Sequence, residues 1–264
     1  MIKLPKFVEI GLLLFALLLI TSCSQQKKIT YYQNVDQIST FNGSSFEPTI
    51  QPDDLLMIIV SAPDQEAAAP FNLTSENIPT PNGQAYTAAR QQQLYLVDKN
   101  GLVDFPVLGQ LQFGGLTKTE VIEQLKEKLL KYLKNPIVNI RIMNFKFTVQ
   151  GEVTRPGSYP INSERVTLIE ALSMAGDLTI YGKRNNIVVV RELNGKKSIG
   201  RVDITKADFI NSPYYYLSQN DLIYVEPNNA KSSASTFNQN TGVWISIASL
   251  VSSAIFSIIL INKN

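Results

Sequence analysis

Hydrophobic and polar positions divide the chain into two long apolar stretches near its ends and a body of short, alternating segments between them. Ile10 to Ile20 is apolar, follows Lys3 and Lys6, and is too short to span a bilayer comfortably, so residues 1–22 read as a cleavable signal peptide. The second stretch, Val243 to Ile261, runs for nineteen residues. As a helix it is roughly 28 Å long, close to the hydrocarbon thickness of a bilayer, and a transmembrane helix is expected there. Ser246, Ser249, Ser253 and Ser257 recur in it at three- and four-residue spacing, giving one small, hydroxylated face. Two readings of this stripe stand: a helix packing on a neighbour through small residues, or a helix of an oligomeric barrel whose serines line a wet lumen. The serines also lower the total hydrophobicity, which favours passage through an inner membrane without arrest.

Between these ends the periodicity changes repeatedly. Residues 23–45 are polar and suit a tether. Leu55 to Val60 is the first strong strand, followed at 61–93 by a Pro-, Ala- and Gln-rich loop of unusual length. Leu94–Val97 and Leu102–Val107 flank Asp98-Lys99-Asn100-Gly101 and predict a hairpin. Leu116 to Leu133 predicts a helix: Thr117 and Glu120 form a capping box, Val121, Ile122, Leu125, Leu129, Tyr132 and Leu133 make the apolar face, and Asn135-Pro136 stop it. Ile137 to Met143 alternates as a strand with one wet face.

A second unit covers 145–227. It has a type II turn expected at Arg155-Pro156-Gly157, a short helix capped by Thr167 and Glu170 and ended by Gly176, and strands at Ile187–Val190, Ile199–Val202 and Leu222–Val225. Residues 228–242 read as a flexible linker. The expected fold class is therefore α+β: two small β-rich domains, 46–144 and 145–227, followed by a C-terminal transmembrane helix. Pro52-Asp53-Asp54-Leu55-Leu56 and Gln219-Asn220-Asp221-Leu222-Ile223 echo one another, which shared turn chemistry explains better than duplication.

Composition narrows the chemistry. Cys23 is the sole cysteine, so no disulfide within the chain exists, and Ile20-Thr21-Ser22-Cys23 resembles a bacterial lipobox that makes Cys23 a lipidation site. A lipobox cysteine carries more than one acyl chain, enough for stable anchoring. By resemblance to known lipoprotein sorting rules, Ser24 in place of Asp favours sorting to the outer membrane. Removing residues 1–22 takes away Lys3, Lys6 and Glu9, so the net charge changes from +2 to +1 and leaves no general footprint for nucleic acid. Histidine is absent, which excludes Ser-His-Asp and Cys-His catalysis and the usual zinc sites. Asp53 and Asp54 are adjacent and point apart on a turn, and Gly109, Gly114 and Gly115 lack the spacing of a phosphate loop. No catalytic residue, cofactor or metal is expected. Tyr214 and Tyr216 are candidate glycan contacts if Tyr214-Tyr215-Tyr216 lies on a strand, with a packing role as the alternative. Lys183, Arg184 and Arg191 either face an acidic polymer or simply solvate the surface.

In their order the segments resemble the polysaccharide export (Wza-like) family of outer-membrane lipoproteins. The resemblance rests on Pro52, Asp54, Leu55, Ile58 and Val60; on Gly101, Phe105, Pro106, Gly109, Gly115, Thr117, Glu120 and Pro136; and on Gly151, Glu152, Val153, Pro156, Gly157, Tyr159, Thr167 and Gly176, which look like a soluble-ligand-binding β-grasp (SLBB) module. It implies a ring-shaped homo-oligomeric channel, often of eight copies, exporting capsular or extracellular polysaccharide. The bulk of the chain would be periplasmic, and an inner-membrane polysaccharide co-polymerase or tyrosine autokinase would dock below. Membrane lipid and the polysaccharide are the other implied partners. The second hypothesis is a periplasmic glycan-binding or scaffold lipoprotein without a pore. Asp53 and Asn220 stand where the family places glycine, which puts the conformation of those turns in question.

Overall fold

The computed structural model describes residues 29–37, 46–73, 93–193, 195–236 and 241–261; Cys23, the signal segment and most of the 61–93 loop lie outside them. Two buried clusters build the α+β body. In the first, strand β1 (Leu55–Ser61) is central in a three-stranded antiparallel sheet, between β2 (Tyr95–Leu96) and β5 (Ile137–Ile142). Alternation decides its faces: Leu56, Ile58 and Val60 are buried, while Ile59 and Ser61 face out. The buried row packs with Val121, Leu125 and Leu129 of a long helix and with Tyr95, Phe105 and Phe113.

That helix runs Lys118–Leu129. Thr117 caps it and Glu120 returns the bond, as the sequence pattern predicts, and Glu47 adds two further acceptor contacts at Thr119. Tyr132, expected on the apolar face, is instead 57% exposed beyond the helix end. The hairpin is also displaced. β3 (Leu102–Phe105) pairs with β4 (Gly109–Gln112), whereas β2 joins β1. β4 carries one glycine and two glutamines and gives no hydrophobic period, so the sequence pattern hides it. Asp98 still closes the predicted turn by accepting from the N–H groups of Asn100 and Leu102. In the described part of the long loop, α1 (Gln65–Ala68), capped by Asp64, and a 3-10 turn at Ala69–Phe71 fold back on β1, where the Asn72 carboxamide bonds Val60.

The second cluster lies under a five-stranded sheet of order β7-β6-β10-β8-β9. β6 (Lys146–Gly151) pairs parallel to β10 (Leu222–Pro227) and antiparallel to β7 (Gly157–Pro160); β8 (Gly182–Leu193) and β9 (Lys196–Val202) form a long hairpin. Phe147, Val149, Ile187, Val189, Ile223 and Val225 bury one face against Leu168, Ala171 and Leu172 of α3 (Leu168–Met174), α2 being the Lys118–Leu129 helix. Gly176 ends α3 at φ +75°, as expected. The Pro156-Gly157 turn departs from expectation: Gly157 opens β7 without a positive φ, and the left-handed glycine is Gly151, whose added Cβ would lie 2.1 Å from the Val225 carbonyl oxygen.

Residues 227–264 form a separate compact unit. The expected flexible linker contains a helix, α4 (Asn229–Thr236), with the Asn228 side chain accepting from the Lys231 N–H. α5 (Thr241–Ile261) follows. The expected transmembrane helix at Val243–Ile261 is corrected here: among the described residues no helix is long and apolar enough to cross a membrane. Hydroxyls interrupt the apolar run at 246, 249, 252, 253 and 257, so no uninterrupted apolar stretch after Val243 exceeds four residues.

Candidate functional site

Two turns of the same design organise the junction between the two domains. In Gln51–Asp54 the Asp54 Oδ2 accepts from the Gln51 N–H at 2.8 Å; in Ser218–Asp221 the Asp221 Oδ2 accepts from the Ser218 N–H at 2.8 Å. Each turn places its third residue in the left-handed region, Asp53 at φ +68° and Asn220 at φ +62°. Asx side chains tolerate this conformation. The conformation that glycine would favour is thus kept without glycine.

Asn144 joins the two turns. Its Oδ1 accepts from the Leu55 N–H at 2.9 Å, its Nδ2 donates to the Asp53 carbonyl at 2.9 Å, and its own carbonyl accepts from Gln219 Nε2 at 3.0 Å. Gln219 Oε1 accepts in turn from the Lys146 N–H at 2.8 Å. The connection between β5 and β6 is therefore held on both sides by amides, and the domains meet through directional contacts as well as packing.

Beneath this junction lie two buried carboxyls. Asp54 is fully buried, and its Oδ1 has no hydrogen-bond partner among the described residues. Burial pushes its carboxyl up to about 6, against the Gln51 N–H and the nearby Gln219 side chain. Asp221 is also fully buried but paired: Arg191 donates Nη2 to its Oδ2 at 2.7 Å and Nε to its Oδ1 at 3.0 Å. The same guanidinium holds the Pro213 and Tyr216 carbonyls and lies over the Tyr214 ring. Burial raises the Asp221 carboxyl and Arg191 pulls it back.

Above the junction is an open cleft of about 660 Å³. Gln51, Asp53, Asn100 and Gln112 line it from the first domain, and Glu192, Gln219 and Asn220 from the second. Gly101, Gly114 and Gly195 also line it, and no aromatic ring is among its lining residues. Gly101 and Gly114 are in mutual contact: a Cβ on Gly114 would sit 2.5 Å from the Gly101 Cα. Lys99 joins Asp53 and Glu192 as the charged side chains of a lining otherwise made of amides, Pro52 and glycines, and among the described residues no group of acidic, His or Cys side chains is arranged to hold a metal ion.

Comparison with known proteins decides the family. Residues 43–143 match the family described as polysaccharide biosynthesis/export protein, and residues 146–202 match the SLBB domain. The chain belongs to the polysaccharide export family, with an SLBB domain. Among similar curated proteins is the EPS I polysaccharide export outer membrane protein EpsA of Ralstonia solanacearum, 29% identical over 137 residues, which cover 50% of this chain and 36% of that one. A second is the protein of the same name from Ralstonia nicotianae (strain ATCC BAA-1114 / GMI1000), 32% identical over 101 residues, covering 37% and 26%. The exopolysaccharide production protein ExoF of Rhizobium meliloti (strain 1021) is 30% identical over 88 residues, covering 32% and 21%. The chain thus spans about a third or less of the length of these relatives.

Within the export and SLBB domains, the residues singled out from sequence fall in different places. Pro52 lines the cleft and Asp54 lies below it; Gly109 opens β4 at φ +74° and Gly115 is a turn residue at +88°; Gly151 ends β6 opposite Val225 of β10. Tyr214 and Tyr216 are not on a strand. Tyr214 is in a turn against Arg191 and Gly200, and Tyr216 stacks on Phe46 at 5.1 Å and lies under Arg165. Both rings have partners within the chain, which favours packing over a sugar platform. Arg184 and Arg191 are buried, and Lys183 pairs with Glu226, so none is a free cation for an acidic polymer. Ser246, Ser249, Ser253 and Ser257 each donate to a carbonyl three or four residues earlier in α5. Cys23 lies outside the described residues. Sequence reasoning missed Asn144, Gln219 and the Arg191–Asp221 pair. The echo of the two Asp turns was the available signal, since both turns converge on Asn144.

Proposed function

We propose that the chain is a subunit of the apparatus that exports capsular or extracellular polysaccharide at the outer membrane. It acts without catalysis, as a ring-shaped homo-oligomer anchored by lipid on Cys23, with the export and SLBB domains in the periplasm and an inner-membrane polysaccharide co-polymerase or tyrosine autokinase as its partner. The observation that carries the reading is the cleft between the two domains. A polymer in transit needs contacts that are satisfied by hydroxyls yet weak enough to release, and a lining of amides together with the Asp53, Lys99 and Glu192 side chains offers many modest hydrogen bonds. An aromatic platform would hold each sugar more tightly. The relatives' names point the same way, since two are called export outer membrane proteins and one an exopolysaccharide production protein.

The same cleft supports a second reading, a periplasmic scaffold that holds glycan without forming a pore. Electron microscopy of the lipidated full chain in detergent separates the two. Rings with a central opening are expected, and a monodisperse monomer would sink the channel reading. Narrowing the cleft with Glu192→Trp, at an exposed strand position, is expected to reduce polymer release severalfold while the protein remains at its usual level in the envelope.

A further inference from the structure

Residues 29–37, expected to be part of a featureless tether, are bound to the SLBB domain as a strap. Tyr31 Oη donates to Asp177 Oδ1 at 2.7 Å and its ring lies 5.6 Å from the Arg184 guanidinium. The Gln33 N–H donates to the Thr205 carbonyl at 2.8 Å, Asn34 accepts from the Ala207 N–H at 2.6 Å, and Tyr32 packs on Phe209. The strap is therefore fixed beside Asp177.

Arg184, 8% exposed, also shapes the loop that follows Asp177. Its guanidinium donates to the carbonyls of Leu178, Thr179 and Gly182. Thr179 Oγ1 donates to Glu152 at 2.9 Å. Held in this way, the loop presents Ile180 at 68% exposure and Tyr181 at 44%. Arg155, an exposed cation, lies on the same edge, because the Thr154 N–H bonds Asp177 and the Arg155 N–H bonds Ala175. A large aliphatic and an aromatic side chain held out by a rigid loop mark a contact surface.

The length of chain before the strap selects what covers it. Cys23 precedes Tyr31 by eight residues, which reach at most about 29 Å when fully extended. We infer that the Leu178–Gly182 loop is a membrane-contact surface, laying Ile180 and Tyr181 on the headgroup region of the bilayer that holds the acyl chains of Cys23. This rests on the reading of Cys23 as lipidated. The lipid supplies affinity, while the loop sets orientation: Tyr181 suits the headgroup level, and Arg155 suits anionic lipid.

The test uses the lipidated full chain in vesicles of phosphatidylethanolamine with a minority of phosphatidylglycerol. With Cys23 acylated, Ile180→Cys supplies the only free thiol for a polarity-sensitive fluorophore. Its emission is expected to shift to the blue and to be quenched severalfold by nitroxide-bearing lipid. The same label at Ile137→Cys, a residue 64% exposed in the export domain, is expected to show neither effect. Two results overturn the inference: a label at 180 as water-exposed as that at 137, or a blue shift that grows with protein density and is untouched by lipid quencher, as contact with a second copy would give. Mass spectrometry of the Cys23 peptide separates the premises. Acyl groups present with no quenching reject the loop alone, whereas an unmodified cysteine rejects the anchor and the inference with it.

Discussion

Asp53 and Asn220 adopt positive φ at the third position of two matching turns. An L-residue in that region costs roughly 1–2 kcal/mol unless its side chain bonds locally, and Asn and Asp are the usual exceptions. Asn220→Ala is therefore expected to lower stability by about 1 kcal/mol, and Asn220→Gly to leave it unchanged or raise it; the midpoint of chemical denaturation distinguishes them. Beside Asp53, the buried Asp54 carries a pH dependence of definite sign. Its folded value of about 6 lies above the ordinary 3.8, so the folded state holds the proton more tightly than the unfolded chain. Its contribution is fully present below the ordinary value and is lost as the pH rises towards about 6. Asp54→Asn is expected to flatten the stability profile across that window, and an unchanged slope would contradict this account. Of these two residues, the sequence reveals that Asp belongs to a turn and that glycine is missing from it. It does not reveal burial of Asp54, because burial depends on Asn144 and Gln219, which arrive from far along the chain.

At the scale of elements, local chemistry was the most legible. Both capping boxes, Thr117 with Glu120 and Thr167 with Glu170, are present as their spacing predicts, since both partners lie within one helical turn. Elements defined by partners elsewhere were not legible: β4 becomes a strand because β3 lies beside it, and residues 29–37 become ordered because the SLBB domain binds them. Two elements make sharp mutational predictions. Gly151→Ala forces a Cβ onto the Val225 carbonyl at a residue with φ +91°, so β6 and β10 must separate; a loss of several kcal/mol is expected. Arg191→Met leaves Asp221 buried and unpaired and is expected to cost about 3–5 kcal/mol, whereas Arg191→Met with Asp221→Leu is expected to recover much of it. Equal losses in the single and double variants would show that the pair contributes only through its packing volume.

For the whole molecule, the α+β body of two cores and the family were legible from the order of motifs, while the C-terminal segment was not. Its length suggested a membrane span, but length is only one requirement, and five serines in α5 break the apolar run. What joins the two cores into one functional body is the amide network at Asn144 and the cleft above it, and neither leaves a periodic trace in the sequence. A body that serves polysaccharide export must change the fate of the polymer when it is removed. The most direct test measures polymer in the medium and polymer retained in cells of a strain lacking this chain, with and without the chain restored. Released polysaccharide is expected to be lost in the deletion strain and recovered on complementation, with release again reduced by Glu192→Trp. Unchanged release in the deletion strain would contradict that role in export.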